Sequence, residues 1–137
     1  MERSLTIPSD PAAIDQVEAF LSELAQELGL SEDFTGDLII AGTEAANNAI
    51  LHGNQQRPEL EVRLEARVTV QGAVRQLLLA VTDHGLGLPV PLPDPTEPEH
   101  LLDISGRGLL IIRHLMDDVR IETGARGTRV VLVKTLV

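Results

Sequence analysis

The stretch LEVRLEARVTVQGAVRQLLLAVT, residues 60–82, decides the architecture. Apolar and polar side chains alternate through it: Leu60, Val62, Leu64, Ala66, Val68 and Val70 against Glu61, Arg63, Glu65 and Arg67. A strand sends successive side chains to opposite faces, so residues 60–70 form a half-buried strand with one face in water. Gln71-Gly72 supplies a tight turn, and residues 73–82 return as a more fully apolar strand. A hairpin with one apolar face needs a layer to cover it.

The preceding residues supply that layer. Residues 3–7 read as a short strand. Asp10 then reads as an N-cap with Pro11 in the first helical position. Ile14, Val17, Phe20 or Leu21, Leu24 and Leu28 recur at helical spacing, and Gly29 fits a C-terminal stop. A second helix opens at Ser31, with Glu32 and Asp33 in its first turn, and runs to Gly53, another C-terminal glycine. Beyond the hairpin, residues 83–106 carry Pro89, Pro91, Pro93, Pro95 and Pro98 and no Lys or Arg. Such a segment excludes a regular helix or central strand, and a loop of that length is functional or disordered. Residues 108–116 read as a helix, and 119–123 with 128–133 as a closing strand pair. The expectation is one domain over residues 1–137, of the α/β class. In detail it is an α+β two-layer sandwich, with a largely antiparallel mixed sheet carrying helices on one face.

Composition bounds the function. With 43% apolar residues the chain is a folded body, and its net charge of −10 sits on the surface. That charge, with two Phe and neither Tyr nor Trp, argues against nucleic acid as a partner. The absence of cysteine excludes disulfides and thiolate chemistry. No stretch approaches the ~20 apolar residues of a membrane span. The opening MERSLTIPSDP lacks the apolar centre of a secretory signal, so a soluble cytoplasmic protein is expected. An acidic chain can hold an anionic ligand only locally, through backbone amides, a metal ion or a few placed basic residues.

Three constellations carry chemistry. The first is EAANNAILHG, residues 44–53. Four residues turn a helix by about 400°, so Glu44, Asn48 and His52 share one face. Each alone fits a solvated polar face. Against that, Ala41, Ala45 and Ala49 suit close approach of a sheet or ligand, and Asp37 and Glu44 are the only charges between residues 34 and 51. The amide oxygen of Asn48 suits Mg²⁺, a hard ion that keeps several waters. Glu44, one turn away, could take a proton from an attacking hydroxyl or water. Asn47 falls off the line.

The second constellation is DHGLGLP, residues 83–89, directly after the apolar strand. The Asp83 carboxylate can accept a hydrogen bond from the exocyclic amine of adenine, while Gly85 and Gly87 let a base approach the backbone. In isolation it is also a strand-terminating turn. The third is SGRGLLIIRHLMDDV, residues 105–119. Gly106 and Gly108 lead into a helix N-terminus, where free amides and the dipole favour an anion, and Arg107 could add a charged contact. In isolation the motif fits a loop-to-helix junction with a solvent-facing Arg better. Neither a Walker A nor a kinase glycine loop is present.

In this order and spacing the three resemble the N, G1 and G2 boxes of the GHKL ATPases, the superfamily of gyrase, MutL and the histidine kinases. Glu44-x-x-x-Asn48-Ala49-x-x-His52-Gly53, Asp83-x-Gly85-x-Gly87, Gly106-Arg107-Gly108-Leu109, the Leu-Met-Asp-Asp-Val run at 115–119 and Gly127-Thr128 resemble, more narrowly, the RsbW/SpoIIAB-type anti-sigma factor serine kinases. The likeness spans roughly residues 5–135 and implies a Bergerat-type ATP-binding fold.

It also implies roles. Asn48 would hold Mg²⁺ against the ATP phosphates, and Glu44 would be the general base for a serine hydroxyl. Asp83 would bind the adenine amine, with Gly85, Gly87 and Thr128 shaping the pocket. Gly106, Arg107, Gly108 and Leu109 would close a lid, about residues 88–107, on the phosphates. His52 lies near the phosphates or packs the helix end. The implied activity is a protein-serine kinase of a partner-switching module, using Mg-ATP to phosphorylate a STAS-domain anti-sigma antagonist and alternatively sequestering a sigma factor. A homodimer is implied as well. The alternative is a nucleotide-regulated binding switch without phosphotransfer.

Overall fold

The alternation in residues 60–70 becomes the burial pattern of a strand. Val62, Leu64 and Ala66 are buried, while Glu61, Arg63, Glu65 and Arg67 are exposed. The computed structural model describes residues 1–84, 104–124 and 127–136, the segment 104–107 as backbone alone. Strands β1 (Glu2–Pro8), β2 (Glu61–Gln71), β3 (Val74–Thr82), β4 (Asp118–Gly124) and β5 (Gly127–Thr135) form one sheet in the order β1-β2-β3-β5-β4. Every pairing among them is antiparallel, so the mixed character expected of the sheet is absent among the described residues.

Helices α1 (Ile14–Leu28), α2 (Glu32–Asn48) and α3 (Ile104–Leu115) cover one face. Val17, Leu21 and Leu24 of α1, Leu38, Ala41 and Ala45 of α2, and Ile112 of α3 share a core with Leu64, Leu79 and Leu132 of the sheet. The other face explains why β3 is apolar on both faces from Leu77 to Val81. Ala80, Val131 and Val133, with Leu78 against them, form a second small cluster there. Long side chains of Arg63, Arg67 and Arg129 flank that cluster and shield it.

Local signals set the helix ends. The Asp10 side chain accepts from the Ala12 amide, and Pro11–Ala13 forms a 3-10 turn that leads into α1. Gly29 stops α1 in the left-handed conformation, φ +66°, and the Leu30 amide reaches back to the Ala25 carbonyl. The Ser31 hydroxyl accepts from the Phe34 amide and starts α2. Gly72, φ +61°, opens the two-residue β2–β3 turn, one position beyond the expected Gln71-Gly72. Toward the hairpin tip the buried row gives out, and Val70, which continues it, is 63% exposed.

Two expectations shift. Helix α3 begins at Ile104, not 108, so residues 104–107 belong to a helix rather than to the end of a loop. The α-helical part of α2 ends at Asn48, and Ala49–Gly53 widens into a π-turn closed by Asn54 N–H on the Ala49 carbonyl, 2.8 Å. The remainder of the proline-rich segment, residues 85–103, lies outside the described residues. Asp117 and Asp118, unfavourable if they ended a helix, lie beyond α3 instead. Asp117 accepts from the Thr135 amide, and Asp118 pairs with Arg120 at 3.1 Å. The cation that a helix C-terminus favours comes from β5, where Lys134 Nζ donates to the Leu115 carbonyl at 2.8 Å.

Gly29 and Gly36 have open space where a Cβ would sit, but only Gly29 has positive φ. Gly29→Ala is expected to lower stability by about 1–2 kcal/mol through backbone strain. Gly36→Ala, inside α2, is expected to raise it by about 0.5–1 kcal/mol. Urea unfolding midpoints of the two variants should therefore move in opposite directions.

Candidate functional site

The end of β3, the end of α2 and the start of β5 meet at Asp83. Its side chain is 5% exposed, and Oδ1 accepts from the Thr128 amide at 3.1 Å. The Asp83 amide in turn donates to the Thr128 carbonyl at 2.9 Å, continuing the β3–β5 ladder by one residue. Two glycines make this seat possible. A Cβ on Gly53 would lie 2.1 Å from Asp83 Oδ2, and one on Gly127 would lie 2.1 Å from the Asp83 carbonyl oxygen. Gly127 also has φ +128°, a conformation side chains resist. Gly53 has no positive φ. It is glycine because a carboxylate packs on its backbone, not because it stops a helix in the left-handed region.

Asp83 closes one end of a narrow pocket. Ala45, Asn48, Ala49, Val81, Leu109, Ile112, Thr128 and Val130 line the rest. The site is thus an apolar slot between α2, α3 and the sheet, with a carboxylate at its base and a carboxamide on its wall. Small residues keep it open, since Ala45 of α2 and Ala49 of the π-turn present only methyl groups.

The Glu44–Asn48 pair lies on α2, one turn apart, and both residues are half-buried. Helix α3 crosses α2 at this point. A Cβ on Gly108 would lie 2.6 Å from Asn48 Nδ2 and 3.0 Å from Oδ1, so a side chain there would displace the Asn48 carboxamide. That contact separates the neighbouring asparagines, because Asn48 faces α3 and lines the pocket while Asn47 does not line it. It also changes the role read for Gly108. In a helix that starts at Ile104, unbonded amides end near Gly106, so Gly108 lies a turn inside and offers no free amide to an anion.

His52 lies in the π-turn, and its Nε2 is buried without a hydrogen-bond partner among the described residues. Thr128 lines the slot beside Asp83, and Leu109, read in the sequence as part of a phosphate lid, lines it too. Gly85 and Gly87 lie outside the described residues, as do the side chain of Arg107 and the surroundings of Gly106. Among the described residues no three acidic or His side chains converge on a metal site. Among the described residues the slot offers the Asn48 amide oxygen, apart from the Asp83 carboxylate and Thr128 at its other end. That amide oxygen fits Mg²⁺, which is held largely by waters and substrate phosphates, better than an ion that needs a protein cage.

Sequence reasoning passed over Asn54 and Ser9. Both are fully buried and hydrogen-bonded to each other, Asn54 Nδ2 to Ser9 Oγ at 2.7 Å. Polar residues carry no weight in an apolar periodicity, and the only sequence signal is that Asn54 directly follows the His52-Gly53 pair.

Gly53→Ala forces a methyl group into the Asp83 carboxylate. It is expected to cost about 1–3 kcal/mol of stability, as overpacking does. The Thr128 amide resonance should move with it in a proton–nitrogen correlation spectrum. An unmoved Thr128 amide would mean that the carboxylate is not seated as described.

Residues 7–134 match the histidine kinase-like ATPase domain family. The serine-protein kinase RsbW of Bacillus licheniformis is 31% identical, over 94% of this chain and 82% of that protein. The Bacillus velezensis RsbW is 30% identical over 96% and 84%. The anti-sigma F factor of Heyndrickxia coagulans is 28% identical over 87% and 78%. Among solved structures, the RsbU and RsbW domains of a Mycobacterium tuberculosis protein superpose with a TM-score of 0.65 at 22% identity. That superposition covers 98% of this chain but 32% of the other, so the fold here corresponds to one part of a longer protein. A blue-light activated histidine kinase domain of Erythrobacter litoralis follows at a TM-score of 0.59. The glycine-backed carboxylate, the Glu44–Asn48 pair and these likenesses agree: the chain belongs to the histidine kinase-like ATPase domain family, within its RsbW/SpoIIAB-type branch of anti-sigma factor serine kinases.

Proposed function

We propose that this chain is an ATP-dependent protein-serine kinase and anti-sigma factor of a partner-switching module. In this reading it phosphorylates a serine of a STAS-domain antagonist and, in the alternative state, sequesters a sigma factor. The observation that carries it is the pairing of two sites on one slot. The Asp83 carboxylate lies at the base and Asn48 on the wall, with Glu44 one helical turn beyond Asn48.

Each residue has a task that its chemistry suits. Asp83 accepts from the exocyclic amine of adenine, and the apolar walls Val81, Val130 and Ile112 take the flat faces of the base. Asn48 offers a neutral oxygen to Mg²⁺. Mg-ATP, when bound, supplies the transferable phosphoryl group and part of the charge neutralisation that its transfer demands. Glu44, half-buried one helical turn from Asn48, receives the proton of an incoming serine hydroxyl. Phosphoryl transfer asks mainly for positioning, so a base, one metal-binding oxygen and a base pocket form a sufficient set.

Relatives named anti-sigma F factor support the sigma-factor partner, and relatives named serine-protein kinase RsbW support a protein substrate phosphorylated on serine. A chain of net charge −10 is a poor ligand for nucleic acid, and none is part of this reading. No helix among the described residues is long and apolar enough to cross a membrane. The reading places the protein in the cytoplasm, beside the transcription machinery it would regulate, and as a homodimer. Sedimentation at micromolar concentration is expected to give the mass of two chains, and a monomer mass would remove the dimer from the reading.

The decisive experiment incubates the protein with labelled Mg-ATP and STAS-domain proteins. Glu44→Ala is expected to slow serine phosphorylation by about 10²–10⁴-fold, the range typical of a lost general base. Its nucleotide binding should change little. Asp83→Asn keeps an oxygen for the Thr128 amide but loses the charge, and should weaken ATP binding roughly ten- to a hundredfold. Phosphorylation at the wild-type rate by Glu44→Ala would remove Glu44 as the base. Unchanged ATP affinity in Asp83→Asn would remove the adenine site.

A further inference from the structure

Asn54 is wholly buried and saturates its carboxamide with contacts from separate parts of the chain. Nδ2 donates to Ser9 Oγ at 2.7 Å and to the Glu61 carbonyl at 3.0 Å. Oδ1 accepts from the His84 amide at 2.9 Å. The partners fix the orientation, because a backbone carbonyl can only accept and a backbone amide can only donate. The Asn54 amide meanwhile closes the π-turn on the Ala49 carbonyl. Ser9 completes the set by donating to the Leu60 carbonyl at 2.6 Å.

The place of the His84 contact matters. His84 directly follows Asp83, at the point where the chain leaves β3. Two consecutive residues at the end of the π-turn therefore grip two consecutive residues at the end of β3. Gly53 gives the Asp83 carboxylate its space, and Asn54 holds the next peptide. With Thr128 on the far side of Asp83, the carboxylate has its direction fixed from both flanks.

We propose that Asn54 is a positioning residue for base recognition: through the His84 amide it aims the Asp83 carboxylate into the slot and so sets the preference for adenine over guanine. The proposal rests on the reading of Asp83 as the acceptor for the adenine amine. Guanine presents a carbonyl oxygen where adenine presents that amine, and a well-aimed carboxylate repels it. A carboxylate free to turn away would discriminate less, because hydrogen-bond selectivity depends on the acceptor being held in place.

The test measures ATP and GTP dissociation constants, with magnesium, for the full chain and three variants. Asn54→Ala removes every contact of the carboxamide. It should weaken ATP binding by about tenfold and cut the GTP-to-ATP ratio of dissociation constants by about fivefold or more. Asn54→Asp keeps an oxygen to accept from His84 but loses both donors. It should keep the ratio within about twofold of wild type even where its thermal midpoint falls, since the steering bond survives. Val17→Ala, in the core of α1, lowers stability without touching the slot and should leave the ratio unchanged. A folded Asn54→Ala with the wild-type ratio overturns the proposal alone. So does an Asn54→Asp that loses the ratio, a readout that stands even where Asn54→Ala does not fold. Wild-type protein that binds neither nucleotide, or does not prefer ATP, overturns the reading of Asp83 and this proposal with it.

Discussion

A carboxylate almost out of reach of water is the constraint around which this molecule is organised. Burial disfavours a charged group unless hydrogen bonds replace its water. Here the Thr128 amide supplies one such bond to Asp83 Oδ1, and the missing side chain of Gly53 leaves room for Oδ2. Backbone can come that close only where side chains are missing. Glycine is therefore needed on both sides of Asp83, at positions 53 and 127, far apart in sequence and brought together by the sheet.

The same demand for close approach governs the helical layer. Gly42 faces Leu21 and Leu79, and a Cβ there would lie 2.6 Å from Leu21 Cδ1. Ala41 and Ala45 continue this row of small, buried residues along α2, and Ala49 extends it into the π-turn. Gly108 lets α3 come down on Asn48 in turn. The slot is what remains between three elements packed this tightly. Its apolar walls belong to the common core, and stability and binding draw on the same residues, Ile112 above all.

Much of this was legible in the chain. Alternation fixed the hairpin, because burial on one face imposes a period of two on any strand. The caps at Asp10, Ser31 and Gly29 stood at the helix boundaries because they answer a local need, unbonded amides or a left-handed residue. Asp83, Asn48, Leu109 and Thr128, separated in sequence, line one slot. Other features did not depend on local chemistry. The start of α3 was placed four residues late because Gly106 and Gly108 read as loop, and glycine is a poor helix former in isolation. In the fold Gly108 leaves room for the Asn48 carboxamide where the two helices cross. Gly53 read as a helix stop for the same reason, the cause of a glycine being invisible without its neighbour.

By itself, then, the sequence determined the elements, their caps, the face each buries and the residue types that suit a nucleotide. These follow from interactions within a few residues, or from the single requirement that apolar faces be covered. Only the tertiary structure decided why particular glycines are glycine, which of two adjacent asparagines enters the slot, and that Asn54 reaches Ser9, Glu61 and His84 at once. Those are contacts across long stretches of chain, and a hydrogen bond or a close approach exists only once the fold has fixed both partners in space.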